Sequence, residues 1–292
     1  MLTFTPDGRF LLVANEGEPS DDYLVDPEGS VSIVDLGAGL PGTVRAAGFS
    51  AFAGTLLSPA ARVFGPRASF AQDLEPEYIT VSDDGRRAWV TLQDNNAIAE
   101  IDVERGATVA IRGLGFKDHL LVGNGLDASD RDGPSTNSLT WPVHGLYQPD
   151  GIASYRVGGQ SYPITANEGD ARDYDGFSEE ARVGALRLDP GAFPNAAALQ
   201  SSAQLGRLTV TTANGDPDGD FDELSSFGAR SFSIWNAGID LVFDSGDRLE
   251  RITSVPGQFN SDHASNNSFD TRSDNKGPEP EGVEIGIIGE RT

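Results

Sequence analysis

The chain has no cysteine, three histidines and only two lysines, Lys117 and Lys276, among its basic residues. Without cysteine there is no disulfide, no thiolate metal centre and no cysteine nucleophile. His119, His144 and His263 are scattered through loop-like sequence without metal-ligand spacing, and each reads as a surface residue or a loop hydrogen-bond donor. A phosphate-binding P-loop, a dinucleotide glycine fingerprint and a nucleophile-elbow serine are all missing. Positive charge is scarce, with 21 Lys and Arg against 45 Asp and Glu and a formal net charge of −24. Nucleic acid and anionic membranes both need a basic face, so neither fits as a partner. No signal peptide or membrane-length apolar run occurs, so direct membrane insertion by this chain is not expected.

Glycine (35) and proline (17) are abundant without a short period, which suits many turns. At 292 residues an all-β chain can remain a single domain. Tyr78–Leu114 is the clearest module: four strand-like runs separated by Asp83-Asp84-Gly85, Asp94-Asn95-Asn96 and Glu104-Arg105-Gly106. Short strands split by such turns form an antiparallel meander, the blade of a β-propeller. Leu2–Thr5, Pro6-Asp7-Gly8, Arg9–Ala14 and Gly29–Leu36 repeat the pattern. A third module is expected from Gly151 through Ser161–Ala166 to Arg182–Leu188, and a fourth over Ala229–Trp235, Asp240–Phe243 and Arg248–Thr253. Phe49–Asp73 and Pro190–Gln200 read as short helical segments, and His119–Pro142 and Gln258–Lys276 as polar loops. Trp89, Trp141 and Trp235 suit packing between blades.

Three of these runs open alike. Glu75-Pro76-Glu77-Tyr78-Ile79, Gln148-Pro149-Asp150-Gly151-Ile152 and the GPEPEG of Gly277–Gly282 each place proline and then an acid before an apolar run, the last being Val283–Ile288. Proline is tolerated at the first residue of a strand, and the acid after it then takes a fixed place in each module. In modules set around an axis, Glu77, Asp150 and Glu281 converge. Superposing Pro6-Asp7-Gly8 on Asp83-Asp84-Gly85 sets Met1 opposite Tyr78, so a fourth such acid would precede Met1. The expected architecture is an all-β propeller of four-stranded antiparallel blades. It is read as one partial domain over 1–292, an incomplete arc continuing beyond both termini.

Ala14-Asn15-Glu16-Gly17-Glu18 recurs as Ala166-Asn167-Glu168-Gly169-Asp170, each time leaving a strand, and Gln93-Asp94 holds the comparable place in the second module. Asn-Glu-Gly is a good turn sequence, and it also sets Glu16, Glu168 and Asp170 on the rim of Glu77, Asp150 and Glu281; both readings stand. Hard oxygen ligands in such number suit Ca²⁺, or Mg²⁺ with retained waters. Asn214–Glu223 alternates Asp216, Asp218, Asp220 and Asp222 around Gly219. Counted as an EF-hand from Asn214, its twelfth position is Ser225 rather than glutamate, leaving a Ca²⁺ loop of another kind or a solvated acidic turn. Asp127–Gly133 is a weaker case, read as a loop. Arg172, Arg272 and Lys276 lie among acids. A metal beside a guanidinium can hold phosphate or carboxylate, whereas local salt bridges would explain the same placement.

The motifs LLVANEGEPSDDY (11–23), LEPEYITVSDDG (74–85), GLDASDRDG (125–133), TANEGDARDY (165–174) and DNKGPEPEGV (274–283) resemble the choice-of-anchor I group of bacterial surface proteins. That group is similar to the mesenchyme-specific cell surface glycoproteins implicated in animal biomineralisation. Its members are often labelled alkaline phosphatase and carry a YVTN-like β-propeller. The resemblance implies a secreted or surface-anchored protein, with a periplasmic setting also open, and a domain longer than this chain. No catalytic residue of a phosphatase can be matched onto the sequence. The leading expectation is a non-enzymatic surface propeller binding Ca²⁺ through acidic loops, with divalent cations and surface or matrix components as partners. The alternatives are a Ca²⁺-dependent phosphoesterase acting on phosphate-containing small molecules through metal-bound water, with Arg172 or Arg272 steadying the phosphate, and a protein-interaction scaffold.

Overall fold

The computed structural model describes residues 1–286 except 38, 41, 56, 58–60, 134–135 and 255–256. The first blade is an antiparallel meander of β1 (Leu2–Phe4), β2 (Phe10–Asn15), β3 (Ser30–Asp35) and β4 (Thr43–Gly48). The second repeats it with β5 (Pro76–Val81), β6 (Arg87–Leu92), β7 (Ala97–Asp102) and β8 (Ala107–Gly113). Their first turns are built alike. Asp7 Oδ1 accepts from the Thr5 hydroxyl (2.6 Å) and the Arg9 amide (3.0 Å). Asp84 Oδ1 accepts from the Ser82 hydroxyl (2.7 Å) and the Arg86 amide (3.1 Å). Gly8 and Gly85 supply the positive φ, +70° and +71°, that each turn requires.

After β9 (Phe116–Asp118) and β10 (His144–Leu146), the third blade begins with β11 (Ile152–Val157) and β12 (Gln160–Asn167). The chain then leaves it. β13 (Asp173–Tyr174) and β14 (Phe177–Ser178) form a small hairpin, followed by β15 (Glu180–Arg182), β16 (Thr209–Thr211) and β17 (Ser225–Ser226). β18 (Ser231–Trp235) and β19 (Leu241–Asp244) complete the third blade in the order β11-β12-β18-β19. The expected third and fourth modules are therefore one blade carrying a long insertion. The inserted strands join β10 and β9 in a five-stranded sheet, β15-β16-β17-β10-β9.

Other expectations are corrected locally. Phe49–Asp73 carries a 3₁₀ turn at Ser50–Phe52, and Pro190–Gln200 one helical turn, α1 (Ala196–Leu199). Arg248–Thr253, read as a strand, is helix α2, whose one buried side chain, Glu250, is paired with Arg230. In the run Val283–Ile288, residues 283–286 pair with no strand, and 287–288 lie outside the described residues.

The second blade is covered on both faces, so Ala88–Leu92 is continuously buried rather than alternating. One face packs with Leu12, Ile33 and Phe49 of the first blade, and the other with Tyr147, Ile152 and Trp235 of the third. Trp89 and Trp235 thus fill the space between blades, whereas Trp141 packs on the separate core of the inserted module. His119, expected at the surface, is 1% exposed, and burial pushes its imidazole down to about 3. The innermost strands β1, β5 and β11, together with residues 282–285, line one cavity of about 600 Å³. This is a propeller arc around a shared channel, and among the described residues it does not close into a ring.

Candidate functional site

The channel-lining strands all start at one end, where Met1, Tyr78, Gly151 and Gly282 line the cavity. Glu77 and Asp150 lie near that end and repel each other, and Glu281 repels Asp150 while itself lining a separate cavity with Asn260, Arg272 and Glu279. A bulge in β5 spans Glu77 and Tyr78, between the Pro76↔Leu92 and Ile79↔Val90 pairs, and bulges re-aim side chains. Asp150 is held by its amide bond to the Ala166 carbonyl (3.1 Å), and the preceding Gln148 is fully buried in a left-handed conformation (φ +40°). Bonds from the Gln148 amide to Asn96 Oδ1 (3.0 Å) and from its side chain to the Asp170 carbonyl impose that strained backbone. Glu281 arrives beside Asp150 because its carbonyl accepts the Gly151 amide at 2.9 Å.

The Asn-Glu-Gly repeat separates into structural and free parts. Asn15 reaches across the sheet to the hydroxyls of Ser30 (3.2 Å) and Ser32 (2.9 Å). Asn167 does the same to Ser231 (3.1 Å) and Ser233 (2.8 Å). Gly17 and Gly169 take φ of +81° and +91°. Asparagine and glycine therefore build the turn, and the glutamate between them is what remains for the rim. Glu168 accepts from Gln93 Nε2 at 3.1 Å, which ties the turns of the second and third blades together.

Burial pushes the Glu77 carboxyl up to about 10, reinforced by repulsion from Asp94, Glu16, Asp150 and Asp170. Burial likewise raises Asp150 to about 6, with repulsion from Glu168, Glu281 and Asp170 outweighing the attraction of Lys276. Glu16 is also raised, first by burial and then by Glu18 and Asp94. Asp170 is raised as well, but its side chain is 56% exposed and water screens much of that effect. Among the described residues, neither Glu77 nor Asp150 has a side-chain hydrogen bond or ion pair. No three Asp, Glu or His side chains among them stand close enough to hold a metal ion directly.

The basic residues are already engaged. Arg172 is fully buried, its guanidinium bound by the carboxylates of Asp73, Glu75 (2.9 Å) and Asp94 (3.0 Å) and by the Asp73 carbonyl (2.8 Å), which commits four of its five N–H donors. Arg272 pairs with Glu279. Lys276 lies between Glu168 (3.5 Å) and Asp170 (3.7 Å), the one lysine at the rim. Asp216, Asp218, Asp220 and Asp222 form a separate, solvent-facing turn. It is closed by the Gly219 amide on Asp216 (2.6 Å) and by Arg187 on Asp220 (3.4 Å). Asp94, Glu75 and Glu279 belong to the site although the repeats did not single them out. For Asp94 a signal existed, since it follows Gln93 in the turn matching Asn-Glu-Gly.

A channel of inner strands with carboxylates crowding one mouth defines an acidic-faced β-propeller domain. The chain belongs to the choice-of-anchor I domain family, whose model matches residues 1–292. Membership implies a cell-surface or extracellular protein. Gigasin-3a of Magallana gigas is 37% identical over 101 residues, which is 32% of this chain and 36% of that protein. The chain thus spans about a third of that relative's length. Among solved structures, the hydrazine synthase of Kuenenia stuttgartiensis covers 83% of this chain and 47% of its own at 14% identity and a TM-score of 0.29. The Cps50 (Swd1) β-propeller domain of Myceliophteria thermophila covers 83% and 85% at 14% identity and 0.24. Likenesses at that level carry nothing over to this chain. No helix among the described residues is long and apolar enough to cross a membrane.

Proposed function

We propose that this chain is a non-enzymatic surface propeller whose acidic rim takes up divalent cations, Ca²⁺ in particular. The observation that carries the reading is the pair Glu77 and Asp150: two carboxylates at the channel mouth, without a cationic partner and raised by burial and mutual repulsion. Such groups either hold protons or attract a cation. The donors are hard oxygens, which suit Ca²⁺. Because no three Asp, Glu or His side chains among the described residues can hold an ion directly, the ion would be held partly through its own waters, which Ca²⁺ accepts as ligands. Glu16, Glu168, Asp170 and Glu281 enlarge the negative field around that position. A hydrated ion keeps positions open for phosphate or carboxylate groups of a surface or matrix component. A phosphoesterase reading draws no support from Arg172 or Arg272, since both are committed to carboxylates.

Calorimetric titration of Ca²⁺ into chelator-stripped protein tests this. The wild type is expected to show a site that is weakened at least tenfold in the Glu77→Gln/Asp150→Asn double variant. An isotherm unchanged by both substitutions contradicts the proposal.

A further inference from the structure

A second group of carboxylates lies in the inserted module, where the loop bridged by Leu126↔Leu139 meets the loop around Asn260 and Asp270. The two loops are joined through Glu250, which accepts the Asp127 amide (3.1 Å) and Asn260 Nδ2 (3.5 Å). Asn137 ties Asp127 to Asp132 on one side of the junction, and Ser273 ties Asn260 to Asp270 on the other. Asp132 repels both Asp127 and Asp270.

The basic side chains nearby are committed elsewhere. Arg207 holds Asp130 (2.9 Å) and Asp274 (2.8 Å), Arg182 holds Asp274 (2.8 Å), and Arg230 holds Glu250 (2.5 Å). What the three carboxylates do receive is neutral. Asp127 accepts the amides of Ser129 (3.4 Å) and Asn137 (2.6 Å). Asp132 Oδ2 accepts Asn137 Nδ2 (2.7 Å), and Asp270 Oδ1 accepts the Ser273 hydroxyl (2.6 Å).

Three enclosed oxygens are left over without any partner: Asp132 Oδ1, Asp270 Oδ2 and Asn260 Oδ1. Asp270 is 4% exposed and Asn260 6%. Both side chains touch Ser273 Oγ, at 2.6 and 2.8 Å, so they stand side by side. A buried acceptor with no donor costs about 1–3 kcal/mol, and an unpaired buried charge costs more. Three such acceptors on the two loops that meet at this junction call for an occupant that accepts oxygen lone pairs from both charged and neutral donors.

We propose that Asp132, Asp270 and Asn260, with Asp127 behind them, form a Ca²⁺ site that pins the inserted module. The leftover oxygens come from two carboxylates and one amide, in keeping with the absence of three metal-spaced acidic or histidine side chains among the described residues. Ca²⁺ takes mixed, irregular oxygen shells completed by water, whereas Mg²⁺ demands a regular octahedron. A cavity of about 320 Å³ lined by Thr136, Ser138, Glu250, Arg251, Ser254 and Phe259 lies beside the two loops. The site is independent of the rim.

Terbium tests it, because Trp141 donates Nε1–H to the Leu126 carbonyl (3.1 Å), one residue from Asp127, and can sensitise a bound ion. The wild type is expected to give tryptophan-sensitised Tb³⁺ emission that Ca²⁺ displaces. Asp132→Asn and Asp270→Asn are expected to weaken Tb³⁺ binding at least tenfold, and Glu77→Gln/Asp150→Asn to leave it unchanged. In chelator, Asp270→Asn is expected to melt no lower than the wild type, since an uncompensated charge has been removed; this shows that the variant is folded. Full Tb³⁺ binding by Asp132→Asn and Asp270→Asn, absent emission from the wild type, or loss that follows Glu77 instead would each overturn the proposal.

Discussion

The Gly151 amide donates to the Glu281 carbonyl at 2.9 Å, joining the second and third proline-acid openers directly. A Cβ on Gly151 would stand 2.5 Å from that same carbonyl oxygen. Gly151→Ala is therefore expected to lower stability by about 1–3 kcal/mol, the usual cost of forcing atoms into a packed contact. Urea unfolding measures it, and faster hydrogen exchange at residue 151 would show that the contact with Glu281 has opened.

Arg172 locks the insertion onto the first two blades through Asp73, Glu75 and Asp94. Removing it leaves three carboxylates facing one another in a buried place. Arg172→Met is expected to cost about 3–5 kcal/mol in thermal or urea unfolding. Arg172→Lys should recover little, because a single ammonium cannot reproduce the fork that serves three partners.

Asn167→Ala and Glu168→Gln distinguish the turn-building from the rim part of the repeat. Asn167 is fully buried and bonds Ser231 and Ser233, so its loss is expected to cost about 1–3 kcal/mol. Glu168→Gln keeps an acceptor for Gln93 and removes one charge from a repulsive cluster. It is expected to leave the chelator-stripped protein within about 0.5 kcal/mol of the wild type or above it.

Burial and like charges raise Glu77 to about 10 in the fold from an unfolded value of 4.5. Between those values the folded state holds the extra proton, so the cation-free chain loses stability as pH rises. His119 contributes its own slope below pH 6.5, with the opposite sign, because burial lowers it. Glu75, raised to about 9 mainly by burial, shares the alkaline window. The difference between wild type and Glu77→Gln from pH 7 to 10 isolates Glu77. The wild type is expected to fall more steeply in chelator, and its Ca²⁺ affinity to climb over the same range.

The two blades with contiguous strands were legible from Asp-Gly turns and apolar runs. So were the acidic openers at Glu77 and Asp150, since the proline that marks each stands at or just before a strand start; the third, at Glu281, leads into residues 283–286, which pair with no strand. The third blade was not, because β12 pairs with β18 across 64 residues, Asn167 to Ser231, and no local pattern encodes a partner so distant. Arg172 and Asp270 were misjudged or passed over for a related reason. Asp270 lies in a polar loop that reads as solvated, and its burial depends on a second loop more than a hundred residues earlier. Arg172 read as an anion holder or as a partner in local salt bridges beside Asp170 and Asp173, while its actual partners lie in the first two blades' connection and the second blade.

The most direct test of the rim is the Ca²⁺-dependent rise in melting temperature, compared between Glu77→Gln/Asp150→Asn and its parent, each in the wild-type and the Asp270→Asn background. At a hundredfold excess over Kd, one site stabilises by about 2.7 kcal/mol, or about 4 °C for a domain of this size. The double substitution is expected to raise or preserve the melting temperature in chelator and to remove that increment in both backgrounds. An increment that survives in both would contradict a cation-binding rim.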